Sequence, residues 1–239
     1  MTSAGLLQRT HFSIGRAAEY FDRRELAAQT GRDCDEFASV VLKELVDNGL
    51  DAAETAGDAP EIAIAVETDA GAIRLSVADN GPGLAPETLA RILDFDTRTS
   101  DKSRYRSPTR GAQGNALKTV IGIPTALGGT EPIVIESCGQ RHVICPKLDA
   151  AGNVDVGHTI EELSPVAGTR IAVTIPAECQ DFDAVWWARA FALANPHASV
   201  KIESGGGAIK HRLLRWHGRS RCLPIHRQLP QSVVEMAAD

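Results

Sequence analysis

Three polar side chains, Glu44, Asn48 and Asp51, share one stripe of a helical pattern with Phe37, Val40, Val41, Leu45 and Ala52. At 3.6 residues per turn that stripe reads as the inward face of a helix from about Asp35 to Ala56, closed by Gly57. A carboxylate or amide buried without partners is costly, so polar groups at core positions mark either a satisfied network or a site for a polar ligand. Three in register favour the ligand. Asp79-Asn80-Gly81-Pro82-Gly83 ends an apolar strand, and its glycines permit a sharp turn and close approach of a ligand that a Cβ would block. Gly111-Ala112-Gln113-Gly114 opens another helix, where free N–H groups and the helix dipole suit a phosphate. Gly168-Thr169 leads into a strand. Taken singly, each glycine segment is an ordinary turn.

The elements that hold these residues follow from pattern and punctuation. Ser13 to Thr30, stopped by Gly31, reads as a capped helix, preceded by an extended arm over residues 1–12. EIAIAVE and AIRLSVA alternate with period two across Asp69-Ala70-Gly71, which predicts a β-hairpin running into Asp79. Pro86 starts a short helix to about Leu93. Asp94 to Gln113 is polar, basic and aperiodic, a length that in a compact domain usually means a functional lid. A helix from Gly114 to about Ala126 follows, then strands at Pro132–Ser137, Arg141–Lys147 and Thr169–Ile175, a helix near Phe182–Leu193 and a hairpin around Gly205–Gly207. This order predicts a two-layer α/β (α+β) sandwich, a mixed sheet covered by helices on one face.

Composition narrows the class. A chain of 239 residues, 43% hydrophobic and 23% charged, can bury one sizeable core. It has no bilayer-length apolar run and no signal-like start, so a cytoplasmic, membrane-free protein is expected. Its five cysteines are scattered without paired spacing, which argues against a disulfide framework or a zinc site. Lys210 to Arg227 contains only basic charges, leaving the rest of the chain more acidic than the net charge of -6. Such a segment suits an interaction tail, a DNA contact or a solvated end.

Glu44 with Asn48, Asp79-x-Gly81-x-Gly83, Gly111 with Gly114, and Gly168-Thr169 occur in the order of the N, G1, G2 and G3 boxes of the GHKL (Bergerat-fold) ATPase superfamily. The resemblance runs over roughly residues 12–203. Through SIGRAAEYFDRRELAAQTG, ELVDNGLDAAE, DNGPGL, the TSDK and RGAQGNALK lid segments, and ALANPHASVKI, it is strongest to the N-terminal ATPase region of the topoisomerase VI B subunit. It implies an arm at 1–12, an ATPase domain at 13–203 and a partly basic extension at 204–239. It also implies that Asp79 accepts a hydrogen bond from the adenine amino group, assisted by Thr169, while Gly81 and Gly83 shape the base pocket. Asn48 would hold Mg²⁺, with Asp51 beside it in the nucleotide site, and Glu44 would polarise the attacking water. Gly111, Gln113, Gly114 and Asn115 would close over the phosphates, with Lys118 as a charge partner. Ala116 stands where the family usually has a glycine.

The implied activity is a Mg²⁺-dependent ATPase that dimerises around ATP and serves DNA topology or DNA processing. DNA and a cleavage protein like the topoisomerase VI A subunit are the expected partners. The transducer that follows the ATPase region in those proteins is not found in this sequence, so slow turnover is expected of the chain alone. Two other readings remain at this point. One is a histidine or serine protein kinase on the same pocket, disfavoured by Glu44, which suits water activation. The other is a binding module that uses ATP as a switch without turnover, kept open by Ala116.

Overall fold

The computed structural model describes residues 16–69, 71–95, 116–149, 153–178, 180–205 and 209–214. The hairpin forms as its alternation predicts: β1 (Glu61–Thr68) buries Ile62, Ile64 and Val66, and β2 (Ala72–Ala78) buries Ile73, Leu75 and Val77. Asp69 turns the chain by accepting the Gly71 and Ala72 N–H groups at 3.0 and 2.9 Å. The same period-two burial builds β3 (Ile133–Ser137), β4 (Gln140–Leu148), β6 (Thr169–Pro176) and β7 (Ser199–Gly205). With β5 (Val154–Glu162) and β8 (Ile209–Leu214), they form one eight-stranded sheet in the order β5-β4-β3-β6-β2-β1-β7-β8. Among the described residues all strand pairs are antiparallel except β1 with β7, so the sheet is mixed.

One face of this sheet carries the helices. The long helix α2 (Phe37–Ala56) lies against β1, β2 and β6, and α4 (Ala116–Ala126) and α5 (Ala184–Ala194) flank it. Two smaller helices, α1 (Arg23–Thr30) and α3 (Pro86–Leu93), pack against α4. A capping box between Asp33 and Glu36 opens the 3-10 turn Cys34–Glu36 that leads into α2, and α2 ends at Gly57 in the left-handed region at φ 83°. Its fully buried stripe is Val41, Leu42, Val46, Leu50 and Ala53. The open face of the sheet bears a ladder of ion pairs, Arg170–Glu136–Arg141–Glu161, across four neighbouring strands. Among the described residues no helix is long and apolar enough to cross a membrane.

Three expectations change. The helix read from Ser13 to Thr30 is a 3-10 turn, Arg16–Phe21, followed by α1, because Asp22 caps α1 by accepting the Arg24 and Glu25 N–H groups. The strand β5 had no counterpart in the sequence reading. It is an edge strand with Gly157 at its middle, and its exposed residues hide the alternation. On α2, Glu44, Asn48, Asp51 and Ala52 are half-buried, forming a ridge beside the core stripe rather than part of it. The arm at 1–12 and the basic segment beyond Leu214 lie outside the described residues.

Candidate functional site

The site is built where β2, β6 and β3 end beside α2. Asp79 follows the last residue of β2, and its carboxylate Oδ1 accepts the N–H of Gly81 at 2.8 Å and of Thr169 at 3.2 Å. The backbones are joined as well, the Asp79 N–H donating to the Thr169 carbonyl at 2.9 Å. Burial pushes the Asp79 carboxyl above the ordinary aspartate range, and the two N–H donors pull it only partly back. A half-buried carboxylate with a raised pKa at the edge of a core makes Asp79 a candidate binding-site residue.

Backbone at this point leaves no room for side chains. A Cβ on Gly168, at φ 85°, would lie 1.8 Å from the Asp79 carbonyl oxygen. One on Gly81 would meet the Ala52 Cβ at 2.8 Å, and one on Gly83, at φ 90°, the Cys138 Sγ at 2.8 Å. Close approach of the turn to α2 is matched on the helix by Gly49, where a Cβ would lie 2.9 Å from both Asp79 Cβ and Ile62 Cδ1. Asn80 secures the turn from behind, its side chain donating to the Ala59 carbonyl at 3.0 Å and accepting the Glu61 N–H at 2.8 Å. Gly49 therefore brings α2, with Glu44 and Asn48 on its ridge, against the carboxylate at the sheet end.

On the ridge, Glu44 and Asn48 show few partners among the described residues. Glu44 meets Lys43 at 3.2 Å, and Lys43 also reaches Asp47 at 3.0 Å. Partial burial lowers the Lys43 pKa, but the charges of Asp47 and Glu44 outweigh it and leave it raised. The amide nitrogen of Asn48 is buried without a hydrogen-bond partner among the described residues. Buried polar atoms are nearly always paired, so this donor fits a site completed by a polar ligand that accepts a hydrogen bond.

A search of protein-family models matches residues 35–178 to the family described as histidine kinase-, DNA gyrase B-, and HSP90-like ATPase. The chain belongs to this ATPase family. Among curated proteins it is similar to the B subunit of type 2 DNA topoisomerase 6 from Natronomonas pharaonis, 29% identical over 204 residues, covering 81% of this chain and 25% of the relative. The corresponding protein of Thermococcus sibiricus is 27% identical over 218 residues, covering 83% of this chain and 36% of the relative. The chain thus spans about a quarter to a third of the length of these relatives.

For an ATPase of this family, the structure brings Asp79, Gly81, Gly83 and Thr169 together and sets the ridge bearing Glu44, Asn48 and Asp51 beside them. Gly111, Gln113, Gly114 and Asn115 lie outside the described residues. Lys118 is only 1% exposed, its ammonium donating to the Asp94 carbonyl between the rings of Tyr20 and Phe95.

Sequence reasoning missed Gly49 and Ser137. A glycine inside a 20-residue helix costs about 1 kcal/mol against alanine, and that local penalty was the signal available for Gly49. Ser137, 4% exposed at the end of β3, had no such signal, because its partners Leu84 and Gly168 are 53 and 31 positions away.

Proposed function

We propose that this chain is a Mg²⁺-dependent ATP-binding and ATP-hydrolysing domain that closes as an ATP-gated dimer clamp in DNA topology or DNA processing. Its partner in that reading is a DNA-cleaving protein of the kind represented by the topoisomerase VI A subunit. The observation that carries the reading is the Asp79 carboxylate, held by Gly81 and Thr169 with Oδ2 toward Gly49 of α2. In this arrangement Oδ1 is saturated by backbone donors, while Oδ2 remains to accept the exocyclic amino group of adenine. Gly81 and Gly83 keep the wall of the base pocket at backbone height. Asn48 would hold Mg²⁺ through its amide oxygen, with Asp51 in reach of the same hydration shell, and the bound cation would offset charge on the phosphates. Glu44, one helical turn before Asn48, takes a proton from the attacking water as its oxygen approaches the terminal phosphate. Gly111, Gln113, Gly114 and Asn115 are assigned to the lid over the phosphates, with Lys118 as a charge partner. ATP-driven closure would dock the arm at 1–12 on a second copy, because only contacts to the terminal phosphate distinguish ATP from ADP.

Calorimetry with ATP, with and without Mg²⁺, combined with ADP release and phosphate transfer measured in one reaction, tests the chemistry. Micromolar-range ATP binding with free phosphate released supports it, whereas label transferred to protein supports a kinase and binding without turnover supports a switch. Light scattering with ADP and with a non-hydrolysable ATP analogue tests the clamp. A monomer under both conditions removes the dimer from the proposal.

A further inference from the structure

The strand pair β4 and β5 holds a buried titratable group that the nucleotide chemistry does not use. His142 of β4 is 2% exposed, on the same face of its strand as the core residue Ile144, and its strand neighbours are Ile135 of β3 and Ile160 of β5. Diagonally across on β5, the exposed His158 sets its Nε2 3.0 Å from the His142 Nδ1, with the two rings stacked at 5.2 Å between centroids.

At that separation one nitrogen donates its proton and the other offers a lone pair, whichever tautomer each ring adopts. The facing nitrogens therefore share a single proton. A second would set N–H against N–H and one cation beside another, with His142 shielded from water. Burial first, and then the charge of His158, hold the His142 pKa below the ordinary 6.5. Other charges around it are placed elsewhere. The helix α4, which packs against β4, carries one charged residue, Lys118, and its ammonium is engaged at the Asp94 carbonyl. On this face β3 offers Ile133 and Ile135, Arg141 and Lys147 lie on the opposite face of β4, and Glu162 lies further along β5.

Little else holds β5. Among the described residues it is the last strand of the sheet, paired with β4 alone; Val154 and Val156 are half-buried against the core, and Ile160 is 54% exposed. Local opening of such an edge costs less than global unfolding, and it would free His142 to take up a proton at the ordinary pKa. The closed strand is thus favoured above pH 6.5 and loses that advantage as pH falls below it. From β5 the chain runs directly to the Asp79 site. After Glu162 the Leu163 N–H is held by the Gly139 carbonyl at 2.8 Å, and the segment 163–168 ends at Gly168, packed against the Asp79 carbonyl.

We propose that the His142–His158 pair is a pH-sensitive latch, which a second proton breaks in mild acid, releasing the edge strand β5 from β4 together with the segment 163–168 that leads to Gly168. The latch does not depend on which ligand the Asp79 site takes.

Hydrogen exchange of the full chain between about pH 5 and pH 8, expressed as protection factors so that the intrinsic effect of pH is removed, tests it. Amides of β5 and of residues 163–168 should lose protection by about tenfold per pH unit below about pH 6.5, while those of β1 and β2 hold theirs. His142→Phe, which keeps a ring without a titrating nitrogen, should remove that dependence. A flat profile for β5 in the wild type, the same profile in His142→Phe, or an equal loss in β1 and β2 overturns the latch. Should His142→Phe fail to fold, titration of the His142 ring by NMR in the wild type decides. A midpoint below that of an ordinary histidine, reached together with the loss of β5 protection, supports the latch, and a midpoint at or above the ordinary value overturns it.

Discussion

The two sides of the site are built differently. At the sheet end, Asp79, Asn80, Ser137 and Thr169 are tied by hydrogen bonds between strands and loops as far as 90 positions apart. On the α2 ridge, Glu44 is paired only locally with Lys43, and a buried amide atom of Asn48 has no partner among the described residues. A base is neutral and planar, so a preorganised cleft binds it with little ordering cost. Phosphates and a cation bring their own charge and water, and groups that must rearrange around them are better left incompletely satisfied. On the proposed assignment, rigidity here follows ligand chemistry, with shape set at one end and charge awaited at the other.

The strongest way to break the comparison is Gly168→Ala. Its Cβ would collide with the Asp79 carbonyl at a positive φ, so a loss of more than about 3 kcal/mol of stability or a failure to fold is expected in urea titration. Wild-type stability would show that the sheet end yields. Next in size, Asp79→Asn should abolish ATP binding by calorimetry, since an amide can set a donor against the adenine amino group. Unchanged affinity sinks the base assignment. Glu44→Ala should lower turnover by about 10²-fold or more while ATP affinity stays near wild type, because a general base acts in the transition state. Hydrolysis at the wild-type rate would make Glu44 structural.

Proton linkage sharpens the contrast with a smaller effect. The folded Asp79 carboxyl has a raised pKa, so the folded state holds the proton more tightly than the unfolded state, and its ionisation works against stability at neutral pH. That penalty lifts as pH falls through the raised folded value toward the ordinary value of 3.8. Without nucleotide, Asp79→Asn should therefore match or slightly exceed wild type in thermal midpoint at neutral pH, and the gap should close on acidification through that window. A midpoint lower by several degrees at neutral pH would contradict the burial penalty. Smallest of all, Lys43→Ala should change turnover by less than about threefold, since an ion pair with a 46% exposed lysine contributes little. A larger change would show that Lys43 holds Glu44 in its working position.

Most of the architecture was legible from local pattern. Ile62, Ile64 and Val66 opposite Ile73, Leu75 and Val77 announce a hairpin because strand burial repeats every two residues. Gly31 and Gly57 announce helix ends because few other residues adopt their φ. The break at Asp22 was hidden, since its capping bonds compete with a helix-compatible sequence on either side. For β5 the cause is exposure: an edge strand with Ile160 54% exposed carries little hydrophobic signal. In the site, Asp79, Gly81 and Gly83 are contiguous and could be read together. Ser137 and Gly49 act through distances set by tertiary packing, which spacing along a chain does not encode. The inward polar face of α2 was legible in kind but displaced, because period alone does not separate a core stripe from its half-buried flank.

The position of β7 has a consequence for how the chain folds. As the parallel partner of β1, with β8 paired outside it, it can join the sheet only after the six strands before it have been synthesised. Non-local pairing of this kind slows folding, because long loops must close before any contact rewards them. Until β7 docks, β1 offers an open edge with Ile62, Ile64 and Val66 beside it, a template for mispairing in a crowded cell. Low temperature and slow synthesis should therefore favour recovery of native protein, and shortened chains ending before Ser199 should collect in the insoluble fraction.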